Sequence, residues 1–309
     1  MYDLIILGGG PAGVAAGIYA GRKAIKTLLI TDSFGGQSIN SDNIENIIGF
    51  RAISGIDWAK QLEEHMRMQS AVVIKDGTRV THIEKKEENV FEVTDATGQT
   101  YQSKTVLYAL GSSYRRLNVP GEKEYEGKGV FYCSICDAPL MKGKQVVVIG
   151  GGNSGLEAAQ DLLAYATSIT ILEYADACKG DPLYQEQLKK DPRVTIVTNA
   201  RVKEIKGKMF VTQVVYEDTK NKSEQTLDVS GVFVSIGYHP NTQIIKDLAT
   251  LDERQRIVID HKTGKTSLEG IWAAGDVTDG LYNQINTAMG DGVKAVLNIY
   301  DYLRGIETK

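Results

Sequence analysis

The run Gly150-Gly151-Gly152-Asn153-Ser154-Gly155 follows shortly after Cys133-Ser134-Ile135-Cys136-Asp137, and a sister run, Gly8-Gly9-Gly10-Pro11-Ala12-Gly13, opens the chain. Both runs stand in the same local order. Residues 4–7 read as a short apolar strand, the glycines as a turn, 14–22 as a helix rich in small residues, and 27–31 as a second strand closed by Asp32. In the second copy the strand 145–149, the helix 156–164 and the strand 168–172 are closed by Glu173. The acid comes 22 positions after Gly10 in one copy and 21 after Gly152 in the other. That context raises a glycine pattern to a dinucleotide-binding unit, which expects an acid about 20 residues on. The chain therefore reads as α/β, with two Rossmann-like three-layer nucleotide-binding domains.

Two glycine- and proline-marked junctions, Asn118-Val119-Pro120-Gly121 and Gly237-Tyr238-His239-Pro240-Asn241, bracket the second unit. The second domain is thus inserted into the first, giving 1–117 with 245–309 as one domain and 118–244, carrying the CxxC, as the other. After the second junction a strand-like run, 270–274, ends at Gly275-Asp276, and a helix is expected over 287–303. Residues 83–100 mix charged and short apolar pieces and predict a small antiparallel ribbon with a structural role.

Composition narrows the class. The 309 residues carry 35 basic and 39 acidic side chains, a net charge of −4 that offers no electrostatic footprint for nucleic acid or an anionic membrane. With 32 glycines and only 6 prolines the chain favours tight turns over disorder. Three cysteines and four histidines make no disulfide framework, and a lone CxxC does not complete a four-ligand zinc site, so no metal is expected. The start, Met1-Tyr2-Asp3, lacks a signal peptide's basic and long apolar segments, and no apolar stretch reaches the length of a membrane span. These features predict a cytoplasmic protein, and in a reducing compartment a CxxC is catalytic rather than structural.

In each unit the glycines let the backbone approach a pyrophosphate, whose charge the following helix N-terminus stabilises. Glu173 would accept ribose hydroxyls and repel the 2′-phosphate of NADP, and residues 174–181 contain no arginine. NADH is favoured over NADPH on that charge argument. The blander readings are that Glu173 merely ends a strand and that the second glycine turn binds nothing. Beside Asp32, Gly35-Gly36-Gln37 adds a second close-approach glycine pair.

Thiolate is the nucleophile of disulfide exchange, and Cys133 with Cys136 is spaced to form a small ring disulfide. Asp137 next to it is a candidate general acid toward the leaving thiolate. The alternative is a pair of buried cysteines serving as small apolar fillers. Cys178 has no sequence partner and reads as an unpaired thiol, while His65, His82, His239 and His261 form no triad or metal spacing.

Taken together these residues resemble the low-molecular-weight thioredoxin reductase family over essentially the whole chain. The resemblance implies FAD at Gly8, Gly10, Pro11, Ala12 and Gly13, with further contacts at Gly36, Gln37 and Asn46. It also implies cofactor contacts around Ala109 and Gly111, at Gly275 and Asp276, and at Gln284 and Ile285 near the flavin ring. The family's CxxC followed by Asp is matched by Cys133, Cys136 and Asp137, and Cys136 corresponds to the thiol facing the flavin. The Gly-Asn-Ser-Gly turn and the Leu172-Glu173-Tyr174 segment resemble still more closely the flavoprotein reductase component of alkyl hydroperoxide reductase. That component carries an N-terminal disulfide-transfer domain, which for this chain is expected to be a separate protein. Two departures stand out: the family's histidine-and-arginine NADPH signature is absent, and Asn283 replaces an arginine common before the flavin-facing glutamine.

The implied activity is electron transfer from NADH, with NADPH second, through FAD and the Cys133/Cys136 disulfide to a thioredoxin or a thioredoxin- or glutaredoxin-like protein. The resemblance adds a homodimer and a domain rotation about the two junctions. Three competitors stay open: a ferredoxin-fed flavin reductase, an oxygen-dependent dithiol oxidase, and a nucleotide-sensing binding protein with an idle dithiol.

Overall fold

The computed structural model describes residues 1–41, 44–87 and 90–306. The chain divides into two units, Met1–Ser113 with His239–Lys309, and Tyr114–Tyr238. The crossings fall at 113/114 and 238/239, a few residues before the 117/118 and 244/245 read from the sequence. Local bonding accounts for the displacement. Asn241 donates from its backbone N–H to Gly111 O and from Nδ2 to Leu110 O, holding it in the first unit. Leu117 and Asn118 N–H donate to Glu122, holding them in the second.

In the first unit the strand β1 (Tyr2–Gly9), the helix α1 (Pro11–Arg22) and the strand β2 (Thr27–Phe34) build the opening of a parallel sheet. The sheet continues through α2 (Gly55–Arg67), β3 (Val72–Lys75), β4 (Val80–Glu87), β5 (Val90–Asp95) and β6 (Thr100–Tyr108), in the order β3-β2-β1-β6-β5-β4. Leu4, Ile5, Ile6 and Leu7 are all buried, as a central strand covered on both faces must be. Their side chains alternate. Leu4 and Ile6 join the core under α1, α2 and the last helix, Ile285–Leu303, whereas Ile5 and Leu7 join Phe91, Val106 and Ile257 on the other face.

The ribbon expected over 83–100 is not a separate piece; its residues 88–89 lie outside the described residues, as do 42–43 and 307–309 of the first domain's range. β4 and β5 are antiparallel, and β5 extends the main sheet by pairing with the first half of β6. The second half of β6 pairs in parallel with Ile271–Ala273. One long strand thus serves two partners on one edge, and its final residues are carried to the end of the sheet where the glycine turn lies.

The second unit holds a five-stranded sheet in which Val194–Val197, Ser168–Leu172, Gln145–Ile149, Gly231–Val234 and Val130–Phe131 pair in parallel in that order. The helices Asn153–Leu162 and Pro182–Lys190 belong to it, with a three-stranded antiparallel sheet, Ala200–Gly207, Val211–Asp218 and Glu224–Asp228. Val146 and Val148 pack into one core, Val147 and Ile149 into the other. Each unit is therefore layered about a parallel sheet, and the fold is α/β as read. Among the described residues no helix is long and apolar enough to cross a membrane.

Candidate active site

The first and second glycine turns superimpose residue by residue in their constraints. Gly8 has φ +107° and a Cβ there would lie 2.5 Å from Ala109 O, while Gly150 has φ +115° and its Cβ would lie 2.5 Å from Ser235 O. A side chain at either place would meet both backbone strain and a carbonyl. A Cβ on Gly13 would sit 1.9 Å from Gly8 O, and one on Gly155 would sit 1.9 Å from Gly150 O. Gly10 and Gly152 cap their helices with nearly the same dihedrals, φ −74° with ψ −178° and φ −80° with ψ −179°. The helices consequently begin at Pro11 and Asn153, three residues earlier than read, because the turn residues already take helical geometry.

The likeness runs beyond the glycines. Gly35 N–H donates to Gly9 O, and the N–H groups of Lys179 and Gly180 donate to Gly151 O. A Cβ on Gly36 would stand 3.3 Å from Gly10 Cα, and one on Gly180 would stand 2.9 Å from Gly152 C. A glycine-bearing strap thus lies on each turn. Ala109-Leu110-Gly111 and Ser235-Ile236-Gly237 occupy matching places, yet the sequence reading singled out only the first. The signal was present, since each follows a buried apolar strand and ends in glycine.

The two acids are not equivalent. Strand register sets Ile30 opposite Leu7 and Leu172 opposite Ile149, so Glu173 corresponds to Thr31 and not to Asp32. Gly9 N–H donates to Thr31 Oγ1 at 2.9 Å, and Gly151 N–H donates to Glu173 Oε2 at 2.5 Å. The other Glu173 oxygen accepts from Ala175 N–H at 2.7 Å. Asp32 instead points to the surface and accepts from Arg79 Nε at 2.6 Å. Asp32 lies inside β2, which continues to Phe34, rather than at its end.

Around the first turn, Gln37 Nε2 donates to Ser112 O. Asn46 Nδ2 donates to Gln284 Oε1 at 3.2 Å, and Asn286 Nδ2 donates to Asn46 O at 2.7 Å, which brings the loop at 46 against the start of the last helix at Ile285. A Cβ on Gly275 would lie 3.1 Å from the Ala12 Cβ, so Gly275 and Asp276 come close to α1. Burial, reinforced by Asp291, pushes the Asp276 carboxyl up to about 6. Two helix-capping turns cleared of side chains, each with a strap and a clearing strand end, fit the pyrophosphates of two dinucleotides.

In the second unit Asn153 Oδ1 accepts from Asp181 N–H at 2.7 Å, which ties the strap to the helix start beside Ser154. A Cβ on Gly151 would lie 2.5 Å from Cys178 Sγ, and burial, then Glu173, pushes the Cys178 thiol up. Cys178 is unpaired in the structure. Cys133 and Cys136 form a disulfide with Cα atoms 5.3 Å apart. Cys133 caps the short helix Ser134–Asp137, its Sγ accepting from Cys136 N–H at 3.2 Å. Asp137 is buried, and its N–H donates to Cys133 O at 3.1 Å, so the acid shares one turn with both sulfurs. Among the described residues no group of three or more histidine, cysteine or acidic side chains is placed to hold a metal ion.

A family profile described as pyridine nucleotide-disulphide oxidoreductase matches residues 2–292. The chain is 43% identical over 302 residues to an NADH dehydrogenase of Bacillus subtilis (strain 168), covering 98% of this chain and 58% of that protein. It is also 43% identical to the F subunit of alkyl hydroperoxide reductase of Staphylococcus aureus (strain MRSA252), covering 98% of this chain and 59% of that one. The chain therefore spans less than two thirds of the length of the curated relatives it matches. Among solved structures, thioredoxin reductase from Streptococcus pyogenes MGAS5005 is similar with a TM-score of 0.93, 34% identity and 99% of both chains covered.

Proposed function

This chain belongs to the pyridine nucleotide-disulphide oxidoreductase family, and from that membership we propose an FAD-dependent disulfide reductase that draws on NADH and serves a thioredoxin-like protein. The observation that carries the reading is a formed Cys133–Cys136 disulfide in the same unit as a glycine turn whose ribose-side residue is Glu173. Bound FAD would relay a two-electron hydride from nicotinamide to sulfur.

The first unit would hold FAD. Gly10 and the first turn of α1 would receive the pyrophosphate, Gly36 and Gln37 would help hold it, and Asp276 would serve the ribityl and phosphate region. Asn46, Gln284 and Ile285 would shape the flavin end. In the second unit Gly152, Asn153, Ser154 and Gly155 take the nicotinamide nucleotide's pyrophosphate. Glu173 orients the adenosine ribose through its hydroxyls and repels a 2′-phosphate, which makes NADH the donor and NADPH the poorer one.

Two electrons and two protons break the Cys133–Cys136 bond and leave two thiols. The thiolate of one then attacks the partner's disulfide, and re-forming the Cys133–Cys136 bond releases the partner as a dithiol. Asp137 holds the proton that the departing sulfur requires. Because the dithiol and the nicotinamide site share one unit, rotation about the two crossings would present each in turn, and a homodimer through the first unit accompanies this scheme.

Anaerobic titration of the FAD-loaded protein tests the reading. Flavin bleaching by substoichiometric NADH, much slower with NADPH, is the expected result. Bleaching by neither would overturn it in favour of a one-electron carrier or an oxygen-dependent oxidase.

A further inference from the structure

The backbone that carries Cys133 has a slender support. Val130–Phe131 is a two-residue strand at the edge of its sheet, paired through Val130 with Val232 and Phe131 with Phe233, and bridged on its other side by Val130 alone, to Glu126. A ladder of that length does little to fix the residue beyond it.

Tyr132 stands between this strand and the dithiol, and its side chain is held from three sides. The hydroxyl donates to Glu122 Oε1 at 3.0 Å and accepts from Arg116 Nη1 at 3.1 Å. The ring stacks on Tyr114, with centroids 5.2 Å apart and planes 18° from parallel. Glu122 is 3% exposed, and its carboxylate also accepts the N–H groups of Leu117 at 2.8 Å and Asn118 at 2.7 Å. Arg116 is fixed in turn by both oxygens of Glu126. A buried carboxylate with three donors is a firm node, since undoing any one of them leaves charge less well solvated. The same entering chain is bonded to the leaving chain, because Arg115 N–H donates to Gly237 O at 2.9 Å.

We infer that Tyr132 is the positioning residue of the dithiol, and that Glu122 and Tyr114 join it to the entering segment 114–118 into one body that carries Cys133. Any swivel at the crossings then acts before Tyr114, and the dithiol follows the entering chain without lag. The kinetic consequence rests on the disulfide-reductase reading; the mechanical one does not.

Hydrogen exchange of the oxidised, FAD-loaded protein tests the mechanical claim. In Tyr132→Phe and Glu122→Gln the amides of 132–137 should exchange about tenfold faster, with those of strand 145–149 unchanged. Tyr114→Ala should do the same, and Tyr114→Phe, which keeps the stacked ring, should restore slow exchange. In turnover with dithiobisnitrobenzoate as the disulfide, Tyr132→Phe should lower kcat about fivefold, with flavin bleaching by NADH unaltered. Unchanged exchange over 132–137 in both Tyr132→Phe and Glu122→Gln, or an equal rise in strand 145–149, overturns the inference. Failure of NADH to bleach the wild-type flavin would sink the proposed reductase instead and leave the exchange result to decide this point.

Discussion

Glu173 takes the backbone N–H of Gly151 in the place where the first unit uses Thr31 for Gly9. The two turns share a fold solution and differ in charge. Where a hydroxyl leaves the first turn neutral, the carboxylate makes the rim of the second turn anionic, and both its oxygens are oriented by backbone donors, Gly151 and Ala175. If the second turn holds a nicotinamide nucleotide as proposed, an acid locked in this way would discriminate against a 2′-phosphate without having to move.

Replacing Glu173 separates its two jobs. Glu173→Gln keeps an acceptor for Gly151 N–H and removes the charge, so the preference for NADH over NADPH should narrow by about tenfold with little loss of stability. Glu173→Ala also strands the Gly151 donor and should cost about 1–3 kcal/mol of stability. Parallel nucleotide titrations and urea unfolding of both variants check this. An unaltered NADH/NADPH ratio in Glu173→Gln would remove the charge argument.

The third glycines provide a matched pair. A methyl at Gly13 or Gly155 would meet a carbonyl oxygen at 1.9 Å, too close for side-chain adjustment to relieve. Each helix must shift from its strand, a cost of about 3 kcal/mol or more where the backbone is the obstacle. Gly13→Ala should be purified without flavin, whereas Gly155→Ala should retain flavin and fail to be bleached by NADH. The flavin-to-protein ratio and an anaerobic NADH titration decide. Retained flavin in Gly13→Ala would assign the cofactors wrongly.

Much of this was legible because glycine turns and a CxxC are local. The strand, turn and helix around Gly8 and Gly150, and the insertion of one unit in the other, follow from periodicity and punctuation. What escaped depends on register between distant strands. Asp32 and Glu173 fall at nearly equal spacing from their glycines, but pairing to β1 shows that Thr31 holds the matching place, one residue before Asp32. Ser235 and Gly237 lie about 80 residues from their turn, and only parallel pairing of Gly231–Val234 with Gln145–Ile149 brings them to it. The two-residue strand before Tyr132 is too short for any alternation to announce it.

Substitutions at the dithiol should divide the reaction. Cys133→Ser and Cys136→Ser should each leave flavin bleaching by NADH intact while reducing turnover of a protein disulfide to background. Asp137→Asn should slow that turnover by about 10- to 100-fold with bleaching unchanged, the range expected of a general acid. Stopped-flow bleaching beside steady-state turnover separates the two steps. Full turnover in Asp137→Asn would reduce Asp137 to a structural part.

Asp276 sets a pH dependence with a definite sign. Burial first, and Asp291 second, push its carboxyl from 3.8 up to about 6, so the folded chain binds this proton more tightly than the unfolded chain does. The stabilisation that comes from protonation is whole below about pH 3.8 and is lost as pH rises through about 6. The difference corresponds to at most about 3 kcal/mol, and to about 1–3 once partial solvent access to the half-buried group is allowed for. Asp276→Asn cannot ionise and should escape the loss. In flavin-free protein the variant should gain about 1–3 kcal/mol on the wild type between roughly pH 4 and pH 7.5. Taking the difference between the two chains cancels the carboxyls that do not interact with Asp276, and Asp291, which does, belongs to the measured effect. Urea midpoints across that interval measure it, and a constant gap would show that Asp276 is not held in its neutral form.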